Sequence, residues 1–273
     1  PERAVNSVYG AAEFSFKDFL YLNVTARNDW FSTLSPANRS ILYPSVSGSF
    51  VFSQAFNSMP NWLSFGKIRA AYAEVGSDTD VSPYSNSLFY GINANLFPNV
   101  AGAQQPIGNI TSNTVPNANL RPMRTSEAEL GLELKMFDNR VGLDFAVYRK
   151  ITTDQIVSAQ ISDGSGFANT LINSGKGRNQ GVELLLNLGM VRSNDFQWDL
   201  TLNGSYNETK VLSLLTDTPG TRITVGTHVF NGELRQVVGQ PMAQLYGFGY
   251  RRDNQGRKIF GGNGIPLRTT DLI

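Results

Sequence analysis

Three glutamates in "EAELGLELKM" are the strongest hint of chemistry in this sequence. Glu127, Glu129 and Glu133 recur at even spacing. On an extended strand, alternate residues share a face and stand about 7 Å apart. That is near the separation at which paired carboxylates divide general acid and base roles in glycoside hydrolysis. The competing reading makes them solvated charges lining a watery surface. His228 is the only histidine, and no set of further ligands stands near it in sequence, so it founds neither a metal nor a catalytic site. "DNQG" (Asp253 to Gly256) opens like a calcium loop but lacks the later bidentate glutamate, so it reads as a hairpin turn. "GKGRNQG" (Gly175 to Gly181) is glycine-rich, yet it sits in a strand pattern with no helix behind it to hold a phosphate. No catalytic, cofactor-binding or metal-binding residue is assigned, and no enzyme is expected.

The elements that carry these residues are strands. "FQWDLTLNGSYN" sets Phe196, Trp198, Leu200, Leu202, Gly204 and Tyr206 on one face against Gln197, Asp199, Thr201, Asn203, Ser205 and Asn207 on the other. A period of two means extended chain with two unlike faces. The pattern recurs in "SVYGAAEFSF", "LYLNVTAR", "SVSGSFVF" (with Val46, Gly48, Phe50 and Phe52 on one side), "KIRAAYAE", "EAELGLELKM", "VGLDFAVYR" and "VELLLNL". No window keeps a capped helical period. The connections alternate in length. Lys17-Asp18, Phe137 to Arg140 and Arg192 to Asp195 are tight turns. Trp30 to Leu42, Ser77 to Arg124, Ser158 to Thr170 and Leu214 to Pro241 are long, with Gln54 to Asn61 intermediate. Such alternation is the mark of an up-and-down meander with short turns at one end and long loops at the other.

Composition narrows what the apolar face touches. Of 273 residues, 41% are hydrophobic and only 16% charged, against a usual charged share of about 25%. The net charge of +1 gives no field for nucleic acid. The absence of cysteine rules out disulfides and thiolate metal sites. No apolar run approaches the roughly 18 residues of a membrane helix. The opening "PERAVNSVYG" does not read as a signal peptide, and the abrupt ends read as those of a piece of a longer chain. Two architectures fit the alternation. A soluble sandwich has strands of about 5–6 residues, whereas a tilted membrane strand needs about 9–11. Several patterns here hold for nine or more residues, and Asn, Ser and Gly crowd the polar face, as in a water-filled barrel. Trp30 follows one strand and Trp62 precedes another, as interfacial girdles require. The expected class is all-β: an antiparallel up-and-down transmembrane β-barrel, present as a fragment of about ten strands. Leu132, Leu143, Leu200 and Leu202 are expected to face lipid. Arg27, Asp29, Arg69, Glu127, Glu129, Glu133, Asp199 and Asn203 are the candidate polar contacts inside the lumen. Tyr84, Phe89, Tyr90 and Phe97 are candidate loop contacts to a substrate or partner, with packing inside the loop as the alternative.

"YLNVTARNDWFSTL", "YPSVSGSFVFSQAF", "NANLRPMRTSEAELGLELKMFDNRVGLDFAVYRKITTDQIVS", "LINSGKGRNQGVELLLN" and "GQPMAQLYGF" occur in this order. Together they resemble the barrel of SusC/RagA-type TonB-dependent outer-membrane transporters of Bacteroidetes, over nearly the whole chain. Met123-Arg124 stands where that family usually has a Glu-Lys type pair. The resemblance implies a 22-stranded barrel, of which residues 1–273 form part of one domain, with the plug and the final strands lying outside it. It also implies a SusD-like surface lipoprotein over the mouth, coupling to TonB through the region before this piece, a surrounding outer-membrane lipid, and import of oligosaccharides or oligopeptides. A passive porin-like channel and a soluble glycan-binding sandwich remain the alternatives.

Overall fold

A computed structural model of the chain describes residues 2–56, 58–78, 81–110, 112–228 and 232–269. Eight antiparallel strands form one continuous wall. In order of pairing they are β1 (Val5–Phe16), β2 (Leu20–Phe31), β3 (Ser40–Phe50), β4 (Leu63–Ser77), β8 (Met123–Met136), β9 (Val141–Thr153), β12 (Lys176–Arg192) and β13 (Gln197–Ser213). Each is 11 to 17 residues long, beyond the sandwich norm and enough to cross a bilayer at a tilt. The remaining short strands lie in the long connections: β5 (Gly91–Pro98) with β6 (Gln104–Asn109), β7 (Thr114–Val115) with β10 (Ile156–Gln160) and β11 (Asn169–Asn173), and β14 (Arg222–His228) with β15 (Gly232–Val237) and β16 (Gln244–Tyr246). The expected count of about ten thus divides into eight wall strands and these smaller sheets.

The register carries the two faces across every strand. One row runs Glu13, Asn23, Ser47, Ala71, Glu129, Tyr148, Gly181, Asn207. The neighbouring row on the opposite face runs Phe14, Leu22, Gly48, Ala70, Leu130, Val147, Val182, Tyr206. Because a slip of one residue would exchange the faces, this agreement over eight strands means that the alternation specifies the pairing. Leu132 shares a row with Ile68, Phe145 and Leu184, while Leu143 shares one with Leu134, Leu186 and Leu202. All four leucines expected to meet lipid, Leu200 included, fall on the apolar face.

Buried apolar residues do not lie behind the middle of the wall, where a second sandwich layer would put them. Among the described residues their clusters stand at the long-loop end, apart from Val51 beside the tight turns and Ala146 on the polar face of the wall. One cluster joins Phe31, Leu34, Ile41, Tyr43, Val81, Leu120 and Ile156. A second joins Val211, Leu214, Ile223 and Val238. The apolar face of the wall stays open, with Phe14, Leu22, Leu130, Leu184 and Leu202 each more than 40% exposed. A single-layer sheet with an uncovered apolar face is what lipid, rather than a protein core, completes.

The tight turns lie where expected. Lys17 and Asp18 both take left-handed backbone, as do Phe137, Asp138 and Asn139, conformations that match a hairpin's turn to the twist of its strands. Ser193 closes the third turn through its backbone N–H, which donates to the Phe196 carbonyl at 2.9 Å. At this end Phe16, Phe19, Phe50 and Phe56 meet edge to face, and Trp62 lies against Phe137, a belt of aromatics below the apolar band.

Three expectations are corrected. Phe52 does not continue the face of β3. It starts a single helical turn, α1 (Phe52–Ala55), and its ring lies over Gly66, where any side chain would collide with it. Trp30 lies inside β2, paired with Ser40 of β3, so the segment expected to be a long loop shortens to residues 32–39. The polar "ARND" stretch stays in the strand because Asp29 finds partners there. The connections after β4, β9 and β13 are not bare loops: backbone pairing that the hydrophobic pattern does not report folds them into the three small sheets. A second short helix is the 3-10 turn η1 (Asp163–Ser165). No helix among the described residues is long and apolar enough to cross a membrane, which says nothing of a crossing made by strands.

Candidate functional site: the polar face of the wall

Arg69 is the hub of the polar face. It sits in β4 with Gly131 of β8 directly opposite. A Cβ at Gly131 would overlap the Arg69 side chain. The missing side chain lets the guanidinium cross β8 altogether, so its Nε donates to Glu129 Oε1 at 3.2 Å and one Nη to Asp144 Oδ1 on β9 at 2.9 Å. Three strands are tied by one side chain. Beside it, Arg69, Asp144, Ala146, Glu183, Leu185, Asn203 and Ser205 line a cavity of about 500 Å³. Residues of β4 and β13, four pairings apart, share that cavity, so the wall curves with its polar face inside.

The carboxylates of β8 are all taken by cations. Glu127 pairs with Lys150 at 3.0 Å, Glu129 with Arg69, and Glu133 with Lys67 at 2.6 Å. Lys67 with Glu133, and Glu127 with Lys150, are direct cross-strand partners, the geometry in which opposite charges stabilise a sheet by about 0.2–1 kcal/mol. Each of the three acids is held by its own cation, so they do not form a bare carboxylate pair. The glutamates read as solvated charges on a watery surface are thus also ion-paired between strands.

The other sequence-derived candidates spread along the same face. Arg27 and Asp29 lie toward the long loops. Arg27 Nε donates to Asp29 Oδ1 at 2.8 Å and a terminal nitrogen donates to Ser7 Oγ at 3.0 Å, while buried Asp29 also accepts from the Tyr43 hydroxyl. Asp199 lies toward the tight turns, accepting from Gln197 at 2.6 Å with Arg192 at 3.7 Å. Asn203 joins Arg69 at the central cavity. The structure therefore gathers Arg69, Glu129 and Asn203, flanks them with Glu127 and Glu133, and leaves Arg27, Asp29 and Asp199 at the two rims. Asp144, Glu183, Lys67 and Lys150 belong to the same face and were not singled out in the sequence. Their signal was present, since Asp144 alternates with Leu143 and Phe145. What singles it out is the reach of Arg69, which needs Gly131.

At the mouth, Asp78 is fully buried and accepts from Arg3 and from the Thr33 hydroxyl, pinning the start of the longest loop to the base of β1 and to the β2–β3 connection. Val81 and Leu120 anchor both ends of that loop in the apolar cluster. Beyond the anchors, Tyr84, Phe89, Tyr90 and Phe97 stay 47% exposed or more, and Ile92 and Val100 more so. "DNQG" forms the expected turn: Asp253 accepts from the backbone N–H groups of Gln255 and Arg257, each at 2.9 Å. The Arg257 backbone bond, then its side chain, hold the Asp253 carboxyl below its usual range. In the sheet after β13, Arg235 is buried over the Tyr246 ring and binds Glu233 at 2.8 Å. The bond from Arg235, and then that from Thr224, hold Glu233 below the ordinary glutamate range. His228 closes β14; its side chain lies outside the described residues.

Comparison with known proteins agrees with this geometry. The family model described as TonB dependent receptor-like, beta-barrel matches residues 1–267. TonB-dependent receptor P26 of Formosa agariphila is 32% identical over 77% of this chain, and 21% of its own length is covered. TonB-dependent receptor SusC of Bacteroides thetaiotaomicron is 25% identical over 93% of this chain and 26% of its own length. The solved RagAB peptide importer in its closed-closed state superposes with a TM-score of 0.77 over 99% of this chain and 29% of that chain, at 21% identity. The chain spans about a quarter of the length of the curated relatives it matches. An inward polar wall, an uncovered apolar exterior, tight turns at one rim and folded loops at the other are the parts of an outer-membrane barrel, and the chain belongs to the TonB-dependent receptor-like β-barrel family.

Proposed function

We propose that this chain is the wall of an energy-coupled outer-membrane importer for oligosaccharides or oligopeptides. It works with a SusD-like surface lipoprotein above the mouth and with TonB on the periplasmic side. The observation that carries this reading is the ion-paired inner face. Arg69, Lys67 and Lys150 pair with Glu129, Asp144, Glu133 and Glu127 in place, so most of the charge on this polar face is engaged within the wall itself. Such a face suits uncharged, hydrogen-bonding cargo better than an ionic ligand. The likeness to SusC and to the RagAB peptide importer over almost the whole chain supports the same class. Nothing in the inner face recommends catalysis. The exposed aromatics of the longest loop, Tyr84, Phe89, Tyr90 and Phe97, costly to leave in water at about 25 cal/mol per Å², are the surface we assign to the lipoprotein or to captured cargo.

The full-length protein in its own host decides between active import and a passive channel. Uptake of the cognate oligomer is expected to stop when TonB is removed, and the purified barrel is expected not to conduct steadily in planar bilayers. Deleting 87–105 is expected to leave the heat-modifiable migration of the folded barrel intact while weakening lipoprotein co-purification or uptake. Uptake that persists without TonB, together with steady conductance, would make the protein a porin instead.

A further inference from the structure

The outer face does not stay apolar along its whole length. On β9, β12 and β13 it turns charged one row above Val147, Val182 and Tyr206, on the side of the long loops. That row is Arg149, Gln180, Glu208, and the next is Ile151, Arg178, Lys210. On β1, β2 and β3 the corresponding positions are Ala12, Val24 and Val46, then Gly10, Ala26 and Pro44, so the charge is confined to one side of the wall. Arg178 and Lys210 are direct cross-strand partners. Two cations facing each other on a sheet are destabilising unless an anion joins them. The protein supplies little: Glu208 lies 3.8 Å from Arg178 and accepts from Gln180 at 3.2 Å, and Arg178 Nε is buried without a hydrogen-bond partner. Among the described residues Arg149 and Lys210 have no acidic partner. Nearby Glu74 is already bound by Arg124 at 2.6 Å and by the Tyr72 hydroxyl at 2.7 Å.

We propose that Arg149, Arg178 and Lys210 form a site on the outside of the barrel for the phosphate of a phosphorylated lipid headgroup in the outer leaflet. The height is right, since the residues stand directly above the apolar band, where headgroups begin. The chemistry is right, because guanidinium groups bind phosphate through paired charged hydrogen bonds and a lysine adds a point charge. Long cationic side chains also lay their stems on the apolar band while their heads reach the headgroup level. The proposal concerns the lipid-facing side and is independent of what the lumen carries.

The test uses the full-length protein in detergent, stripped of lipid and offered lipid A with both phosphates, lipid A with its phosphates removed, or inorganic phosphate as competitor. Retention is read by native mass spectrometry. The folded protein is expected to keep phosphorylated lipid A and to lose the dephosphorylated form. The triple variant R149Q/R178Q/K210Q is expected to retain about a hundredfold less, and K17Q, at the opposite rim, as much as the unaltered protein. Heat-modifiable migration reports folding, and should the triple variant fail to fold, K210Q alone is expected to lower retention several-fold. Equal retention of the two lipids, or undiminished retention by a folded variant, would overturn the proposal. So would displacement of the lipid by millimolar inorganic phosphate, which would mark a free-phosphate site, or loss of self-association with lipid binding unchanged, which would mark an interface between copies.

Discussion

Arg69 shows how one residue can organise a polar surface without doing chemistry. Its guanidinium spans β8 only because Gly131 offers no side chain, and it then serves two carboxylates on two different strands. The interaction is half-wet, so its net worth is modest, at most about 1 kcal/mol per exposed pair. Its effect on shape is larger, since it fixes where three strands present charge. Gly131→Val is expected to push Arg69 off both partners and to overcrowd the inner face, lowering stability by about 1–3 kcal/mol. The temperature at which the folded band disappears in heat-modifiable electrophoresis measures this. A variant that melts with the unaltered protein would mean that Arg69 has room to spare. At this scale the sequence was half legible. Alternation assigned Arg69, Glu127, Glu129, Glu133 and Asn203 to the polar face. The pairing of Glu127 with Lys150 depends on the register of the β8–β9 hairpin, and that of Glu133 with Lys67 on the register between β4 and β8, which are far apart in sequence; both registers follow the hydrophobic rows rather than the charges themselves.

Among the elements, the wall strands were legible because each has two chemically distinct faces, and a face pattern is a local property. The tight turns were legible for the same reason: Asp138 and Asn139 are residue types that tolerate left-handed backbone. The folded loops were not. Strands β5, β6 and β14 to β16 have no polar-apolar alternation strong enough to announce them, and Phe52 left its strand because of Gly66, a long-range fit. The short turns should face the periplasm and the long loops the medium, as in outer-membrane barrels generally. These 273 residues hold no cysteine, so in a full-length protein freed of any others, single cysteines at Asn139 and Val100 can be labelled on intact cells by an impermeant maleimide. Labelling is expected at Val100 alone, and the reverse pattern would invert the topology. In the β14–β16 sheet, Glu233 is stabilised in its charged form by Arg235 and Thr224. A carboxyl whose folded value is lowered contributes stability above its unfolded value and loses it as pH falls through the folded one. Pepsin cleavage of this loop should therefore rise once the pH drops below the ordinary glutamate range. Normalised to an unfolded control substrate, which removes pepsin's own pH dependence, the rise is expected to be smaller in Glu233→Gln, and an equal normalised rise in both proteins would assign the switch elsewhere.

For the molecule as a whole, the central claim is that one side of the wall meets lipid and the other meets water. Strand length, the absence among the described residues of a second layer behind the sheet, and buried clusters at the loop end all point the same way. Strand β13 tests it most directly. In the full-length protein reconstituted in bilayers, nitroxide labels placed singly from Asp199 to Ser205 can be probed by electron paramagnetic resonance for collision with oxygen, which concentrates in lipid, and with a water-soluble nickel chelate. The account predicts strict alternation: Leu200, Leu202 and Gly204 relaxed by oxygen, and Asp199, Thr201, Asn203 and Ser205 by the chelate. Labels on both faces relaxed equally by the chelate would contradict it and return the chain to a soluble β-sheet protein.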